Sequence, residues 1–289
     1  VSLLVALGAL APPSAAQAFC RTAACDDGEG KRCTPAESGD CGVPIYWPTS
    51  CVGFSVQRDA SYQVDLEPTE ALLARAFGAW SSAACEGGDP TIAVENLGPV
   101  SCTEIGYDPE AKNSNLIVFR DEDWAYGPGA LALTTVTYVV DTGEIRDADM
   151  EINTTDVAFS LSDSKVTVDL ESILTHEAGH FLGLAHSPVP ASTMVVQYPP
   201  ESISLRSLDA DDVAGICAVY PPGRVAECEA EPINGLGDTC GEAPGTDGCS
   251  CRLGGAARSA PTPSGPTPRA PSWLGLATLG LWVARRRRG

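Results

Sequence analysis

Positive charge is scarce in this chain. Its 289 residues carry 18 lysines and arginines against 38 aspartates and glutamates, a formal net charge of −20. The only concentrated basic stretch is Arg285, Arg286, Arg287 and Arg288 at the end of the sequence. Nucleic-acid binding needs a basic face, so that class is excluded. The acidity fits a soluble extracellular protein but names no substrate. Long apolar runs are also missing: residues 1–10 and 273–284 both fall short of the roughly 20 residues that cross a bilayer as a helix. Methionine occurs only at 150 and 194, and the three histidines all lie within residues 176–186.

Cysteine, by contrast, is plentiful. Twelve cysteines are scattered from Cys20 to Cys251, away from the histidines. That distribution suits disulfides in an oxidising compartment better than thiolate zinc ligands. The start of the chain agrees. An apolar stretch over 1–10 is followed by Ala16-Gln17-Ala18, the core and small-residue cleavage site of a secretory signal. Residues 1–18 are therefore expected to be a signal peptide whose beginning is missing, with the mature chain starting at Phe19. Residues 19–40 follow as a cysteine-rich N-terminal segment.

The chemistry lies in His176-Glu177-Ala178-Gly179-His180-Phe181-Leu182-Gly183-Leu184-Ala185-His186. On a helix, residues four apart lie about 40° from each other around the axis and about 6 Å along it. His176 and His180 can thus face one ion, while Glu177, about 100° round, flanks it. His186 would be rotated by about 240° if the helix continued. The chain must turn, and Gly183 is the residue that tolerates a left-handed helix ending. Three neutral imidazoles hold zinc and leave a position for water, whose pKa the ion lowers to about 7. Glu177 is placed to act as general base.

The remaining pattern predicts a catalytic domain over 41–222. Short strands are expected at 45–47 and 52–56, then a helix opening at Glu67-Pro68-Thr69 with Leu72, Leu73, Ala76, Phe77 and Trp80 as its apolar stripe. Strands at 91–94 and 116–119 precede a hairpin-like pair, 131–140 and 148–152. Cys85 and Cys102 can staple helix to sheet. Asp141, Glu144, Asp147, Asp149 and Glu151 gather around the hairpin, suited either to Ca2+ or to a solvated acidic loop. Asp169 is expected to cap the histidine-bearing helix and Asp209 a last helix ending near Tyr220.

The zinc stretch resembles the extended signature of the metzincins, which place a methionine turn beneath the zinc. Met194 in Ser192-Thr193-Met194, Ser187 directly after His186, and Asp211-Asp212 before Gly215-Ile216 resemble the matrixins, the matrix metalloproteinase subfamily. The resemblance covers about 41–222. It implies an α+β metzincin (zincin-like) fold, with a twisted, mostly parallel sheet, an active-site helix, a methionine turn and a C-terminal helix. It also implies His176, His180 and His186 as metal ligands, Glu177 as general base and Met194 as floor. Extended substrate would lie along Leu131 and Ala132, and Tyr198 would stand in the specificity wall, although Val196 replaces a usual proline. With no further histidine, one catalytic Zn2+ is expected and no second, structural one. Cys41-Gly42-Val43-Pro44 resembles the family's latency motif. However, Asp40 and Ile45 stand where its Arg and Asp would be, and a disulfide, with Cys51 as a partner, is the competing reading.

Residues 223–258 read as a cysteine-rich linker. Residues 259–289 form a Pro-rich spacer, a short apolar segment and the arginine cluster, resembling myxobacterial sorting tails; a plain membrane anchor is the alternative. The expectation is a monomeric, secreted zinc metalloendopeptidase acting on protein or peptide substrates and held at the cell surface. It would meet a membrane only through its tail. The alternatives are a non-catalytic zinc-binding surface adhesion protein on the same fold and a different metzincin subfamily.

Overall fold

In the computed structural model, residues 19, 21–22, 43–127 and 129–244 are described, together with the backbone of 278–284. The expected signal peptide, nearly all of the 19–40 segment, Cys41-Gly42 and the Pro-rich spacer lie outside the described residues.

The β-branched runs become strands close to their expected limits. These are β1 (Cys51–Val56), β2 (Ala93–Asn96), β3 (Leu116–Arg120), β4 (Ala130–Tyr138) and β5 (Ile145–Asn153), then the two-residue pair β6 (Phe159–Ser160) and β7 (Val168–Asp169), and finally β8 (Thr278–Ala284). The main sheet runs β2-β1-β3-β5-β4-β8. Strands β2, β1, β3 and β5 are mutually parallel, and β4 returns antiparallel to β5 as the hairpin reading requires. Residues 45–47 form no strand; Tyr46 makes a single bridge to Glu144. Among the described residues, three α-helices accompany the sheet: α1 (Leu66–Ser81), α2 (Leu170–Phe181) and α3 (Ala210–Val219). This is the expected α+β arrangement around a mostly parallel sheet.

The stripe Leu72, Leu73, Ala76, Phe77 and Trp80 is buried, as its helical spacing demands. Phe77 stacks on Phe54 of β1 at 5.0 Å and meets Phe181 of α2 edge-on at 5.1 Å. Each such ring contributes about 1.5–3 kcal/mol by leaving water. The aromatics also serve the backbone of α2. Trp80 Nε1 donates to Thr175 O at 2.8 Å, Trp47 Nε1 to Phe181 O at 2.9 Å and the Tyr220 hydroxyl to Leu182 O at 3.0 Å. The last two satisfy carbonyls that a helix C-terminus leaves without partners.

The cysteine pairing differs from expectation. Cys85 joins Cys217, fastening the end of α1 to α3, rather than Cys102. Cys102 joins Cys240, and Cys51 joins Cys228 rather than Cys41. Proximity in sequence misled here, because the parallel topology brings the segment after α3 back over the sheet. Arg224 anchors that return, with Nη1 on Trp47 O at 3.2 Å and Nη2 on Thr91 O at 3.3 Å. Among the described residues, no helix is long and apolar enough to cross a membrane.

Candidate metal and active site

Helix α2 is fixed before its histidines begin. Asp169 accepts from Ser172 N at 2.8 Å, the capping bond expected of it. Its buried carboxylate is also gripped by Arg206, through Nε at 2.8 Å and Nη2 at 2.6 Å. Burial pushes the Asp169 carboxyl up, but the Arg206 and Ser172 bonds outweigh it and hold the group below its ordinary range.

The helix ends as Gly183 predicts. Gly183 has φ +91°, in the left-handed region. Gly183 N donates to His180 O at 2.9 Å and Leu184 N to Gly179 O at 2.9 Å. This pair of bonds is a Schellman ending. A Cβ on Gly183 would stand 2.9 Å from Ile45 O, so glycine is required for close approach as well as for conformation.

The turn brings the three histidines together. His176 Nε2 and His180 Nε2 lie 3.1 Å apart, as do His180 Nε2 and His186 Nε2. Two nitrogens bound to one tetrahedral zinc at about 2.0–2.1 Å would be separated by about 3.3 Å, so the set fits such an ion. The opposite ring nitrogens are occupied. His176 Nδ1 donates to Thr193 O at 2.7 Å and His180 Nδ1 to Leu184 O at 2.8 Å. Those bonds fix the tautomers and leave Nε2 lone pairs facing the common point. Burial lowers the pKa of His176 to about 3 and of His186 to about 4, and lowers His180 strongly as well, keeping the imidazoles neutral.

Glu177 is fully buried. Its Oε2 accepts from Thr134 Oγ1 of β4 at 2.6 Å, while Oε1 has no partner. Burial raises its pKa to about 8, and the Thr134 bond pulls in the opposite direction.

Met194 lies under α2. A Cβ built on Gly179 would come within 2.3 Å of Met194 Sδ and 2.8 Å of Trp80 Cζ2. The methionine turn is pinned by Asp212 of α3, whose carboxylate takes the Ser192 hydroxyl, Thr193 N at 2.6 Å and Met194 N at 3.2 Å. Ser187 N donates to Met194 O at 2.7 Å, closing the loop after His186. Tyr198 is buried, with its hydroxyl taking Asp169 N at 2.9 Å and donating to Ser202 O at 2.5 Å. Leu131 and Ala132 are buried on β4. The outer edge of β4 carries β8 in parallel register, Ala130 opposite Thr278 and Leu133 opposite Gly280, with a shift between them.

Three of these residues escaped sequence reading. Thr134 had a signal: it is the polar member of the alternating buried set Ala132, Thr134, Val136. Asp212 entered only through the Asp211-Asp212 pattern of the closing helix, and its bonds to the methionine turn depend on tertiary proximity. Arg206 carried no local signal. On the opposite face of β5, Asp147, Asp149 and Glu151 are buried, which removes the solvated-loop reading for these three. Glu151 takes Arg120 Nε at 2.7 Å and the Tyr126 hydroxyl at 2.6 Å, Asp149 takes Gly106 N at 2.7 Å and Leu116 N at 2.8 Å, and burial beside Asp149 pushes the Asp147 carboxyl well above its ordinary range.

Comparison with known proteins agrees with this geometry. Residues 102–221 match the family model of the matrixin peptidases. The chain is 46% identical over 59 residues to metalloendoproteinase 1-MMP of Arabidopsis thaliana, covering 20% of this chain and 16% of that protein. It is 28% identical over 186 residues to metalloendoproteinase 2-MMP of the same plant, covering 60% and 42%. It is 48% identical over 48 residues to matrilysin of Rattus norvegicus, covering 17% and 18%. The matches thus span between 16% and 42% of the length of these relatives. Residues 102–221, which carry the histidine triad and the closing helix, are thus matrixin-like, while β1 and β2 of the parallel sheet precede the matched span.

Proposed function

We propose that this chain is a zinc-dependent endopeptidase that hydrolyses protein or peptide substrates. The observation that carries the reading is the convergence of three neutral imidazoles beside a buried carboxylate with one free oxygen. His176, His180 and His186 would hold the ion. Zinc in such a site supplies Lewis acidity, bringing a coordinated water's pKa near 7 and polarising a carbonyl. Glu177 accepts the water's proton on its free oxygen and returns it to the departing amine. Met194 supports the site from below, and Leu131, Ala132 and Tyr198 contribute to substrate placement. An extended peptide at the β4 edge would have to take the place of β8.

Export through the N-terminal signal and retention at the surface through the tail complete the proposal; the disulfides among the described residues support an oxidising location. Ca2+, if bound, would take the buried β5 carboxylates, since oxygen ligands suit that ion. The competing reading is a zinc-binding adhesion protein without turnover, which has no use for Glu177.

The deciding experiment measures zinc content and cleavage of a diverse peptide library for wild type and Glu177→Ala. Stoichiometric zinc with cleavage lost in the variant is expected. A fully zinc-loaded wild type that cleaves nothing would favour the adhesion protein, and full activity in Glu177→Ala would overturn the assigned base.

A further inference from the structure

We infer that Thr134 is a positioning residue for Glu177: its hydroxyl holds one carboxylate oxygen and thereby presents the other to the metal-ligand cluster. The inference rests on the proposed role of Glu177 as proton acceptor.

The geometry is specific. Thr134 Oγ1 lies 2.6 Å from Glu177 Oε2 and 3.3 Å from the Glu177 carbonyl oxygen. A hydroxyl has one proton to give, and the shorter contact, to the side-chain oxygen, takes it. Glu177 Oε1 is buried and has no partner. A glutamate carboxylate has a broad terminal torsion that can exchange its two oxygens. Tying Oε2 down removes that freedom and leaves Oε1 as the acceptor.

Thr134 is suited to the task. Its χ1 is restricted by β-branching. Its strand is held on one side by β5, with Thr134 opposite Met150. Its neighbours on the same face, Ala132 and Val136, are fully buried apolar residues, so core packing alone gives no reason for a hydroxyl here. A buried hydroxyl is tolerated where it finds a strong acceptor, and the one it finds belongs to Glu177. The bond also links the strand expected to bear substrate to the helix that carries the base.

The test uses the full chain loaded with zinc and the near-isosteric Thr134→Val, with Thr134→Ser as rescue. In Thr134→Val, kcat is expected to fall about tenfold with KM within about twofold of wild type, the pattern of a misplaced acid–base group. Thr134→Ser is expected to restore kcat to within about twofold, since it keeps the donor. A second readout needs no turnover: the carboxylate stretch of Glu177 in the metal-free protein, recorded above its raised pKa of about 8 and isolated as the infrared difference against Glu177→Gln. It should shift in Thr134→Val and stay in place in Thr134→Ser. An unchanged kcat in Thr134→Val, a loss that serine fails to rescue, or an unmoved infrared band would each overturn the inference. If wild type with full zinc cleaves no peptide, the endopeptidase reading fails, and the infrared comparison still decides whether Thr134 orients Glu177.

Discussion

Replacing Gly183 with alanine probes the join between fold and site. At φ +91° an L-residue is strained by about 1–2 kcal/mol. The new Cβ would meet Ile45 O at 2.9 Å, a backbone atom that cannot rotate away. Relieving such overpacking costs about 1–3 kcal/mol. The stiffer unfolded chain returns about 0.4–1 kcal/mol. The net loss is about 1–5 kcal/mol, or roughly 2–18 °C in Tm for a domain of this size. A second effect is specific to the site. Leu184 O, the acceptor for His180 Nδ1, and His186 both lie beyond this turn, so zinc affinity should fall by about 10- to 100-fold, as when an outer-shell partner is lost. Thermal unfolding of the metal-free protein reads the first effect, and competition with a chromophoric chelator reads the second. A Gly183→Ala protein with wild-type Tm and wild-type zinc affinity would refute the assignment of this turn.

Two further predictions follow from neighbouring contacts. Gly179→Ala should gain about 1 kcal/mol of helix propensity but lose more through the collision with Met194 Sδ and with Trp80, which its Thr175 bond holds in place; a Tm at or above wild type would count against that packing. Arg206→Met should cost about 3–5 kcal/mol at pH 7, because it strands the buried Asp169 carboxylate. Since Arg206 lowers the Asp169 pKa in the fold, its contribution is complete above the unfolded value near 3.8 and fades as pH drops through the folded value. Denaturant melts at pH 7 and pH 3 should therefore show a gap between wild type and variant that narrows in acid, and a constant gap would contradict the ion pair.

Much of this was legible because it is local. The His176–His180 spacing, the Gly183 turn and the Asp169 cap each follow from dihedral preferences and helical period within a few residues. The apolar stripe of α1 and the β4–β5 hairpin follow from periodicity in the same way. What sequence could not give depends on parallel crossover topology. Cys51 meets Cys228 across 177 residues and Cys85 meets Cys217 across 132. Nearest-neighbour pairing was the wrong guide because parallel strands bring distant segments together. Asp212 reaches the methionine turn because the chain folds back through residues 195–209, and Arg206 finds Asp169 across 37 residues.

The central claim is that His176, His180 and His186 together form one zinc site through their Nε2 atoms. X-ray absorption at the zinc edge of the purified chain tests it most directly. One zinc per chain should show three imidazole nitrogens at about 2.0–2.1 Å and one oxygen, falling to two imidazoles in any zinc retained by His186→Gln. A sulfur shell near about 2.3 Å, or an unchanged imidazole count in that variant, would contradict the account.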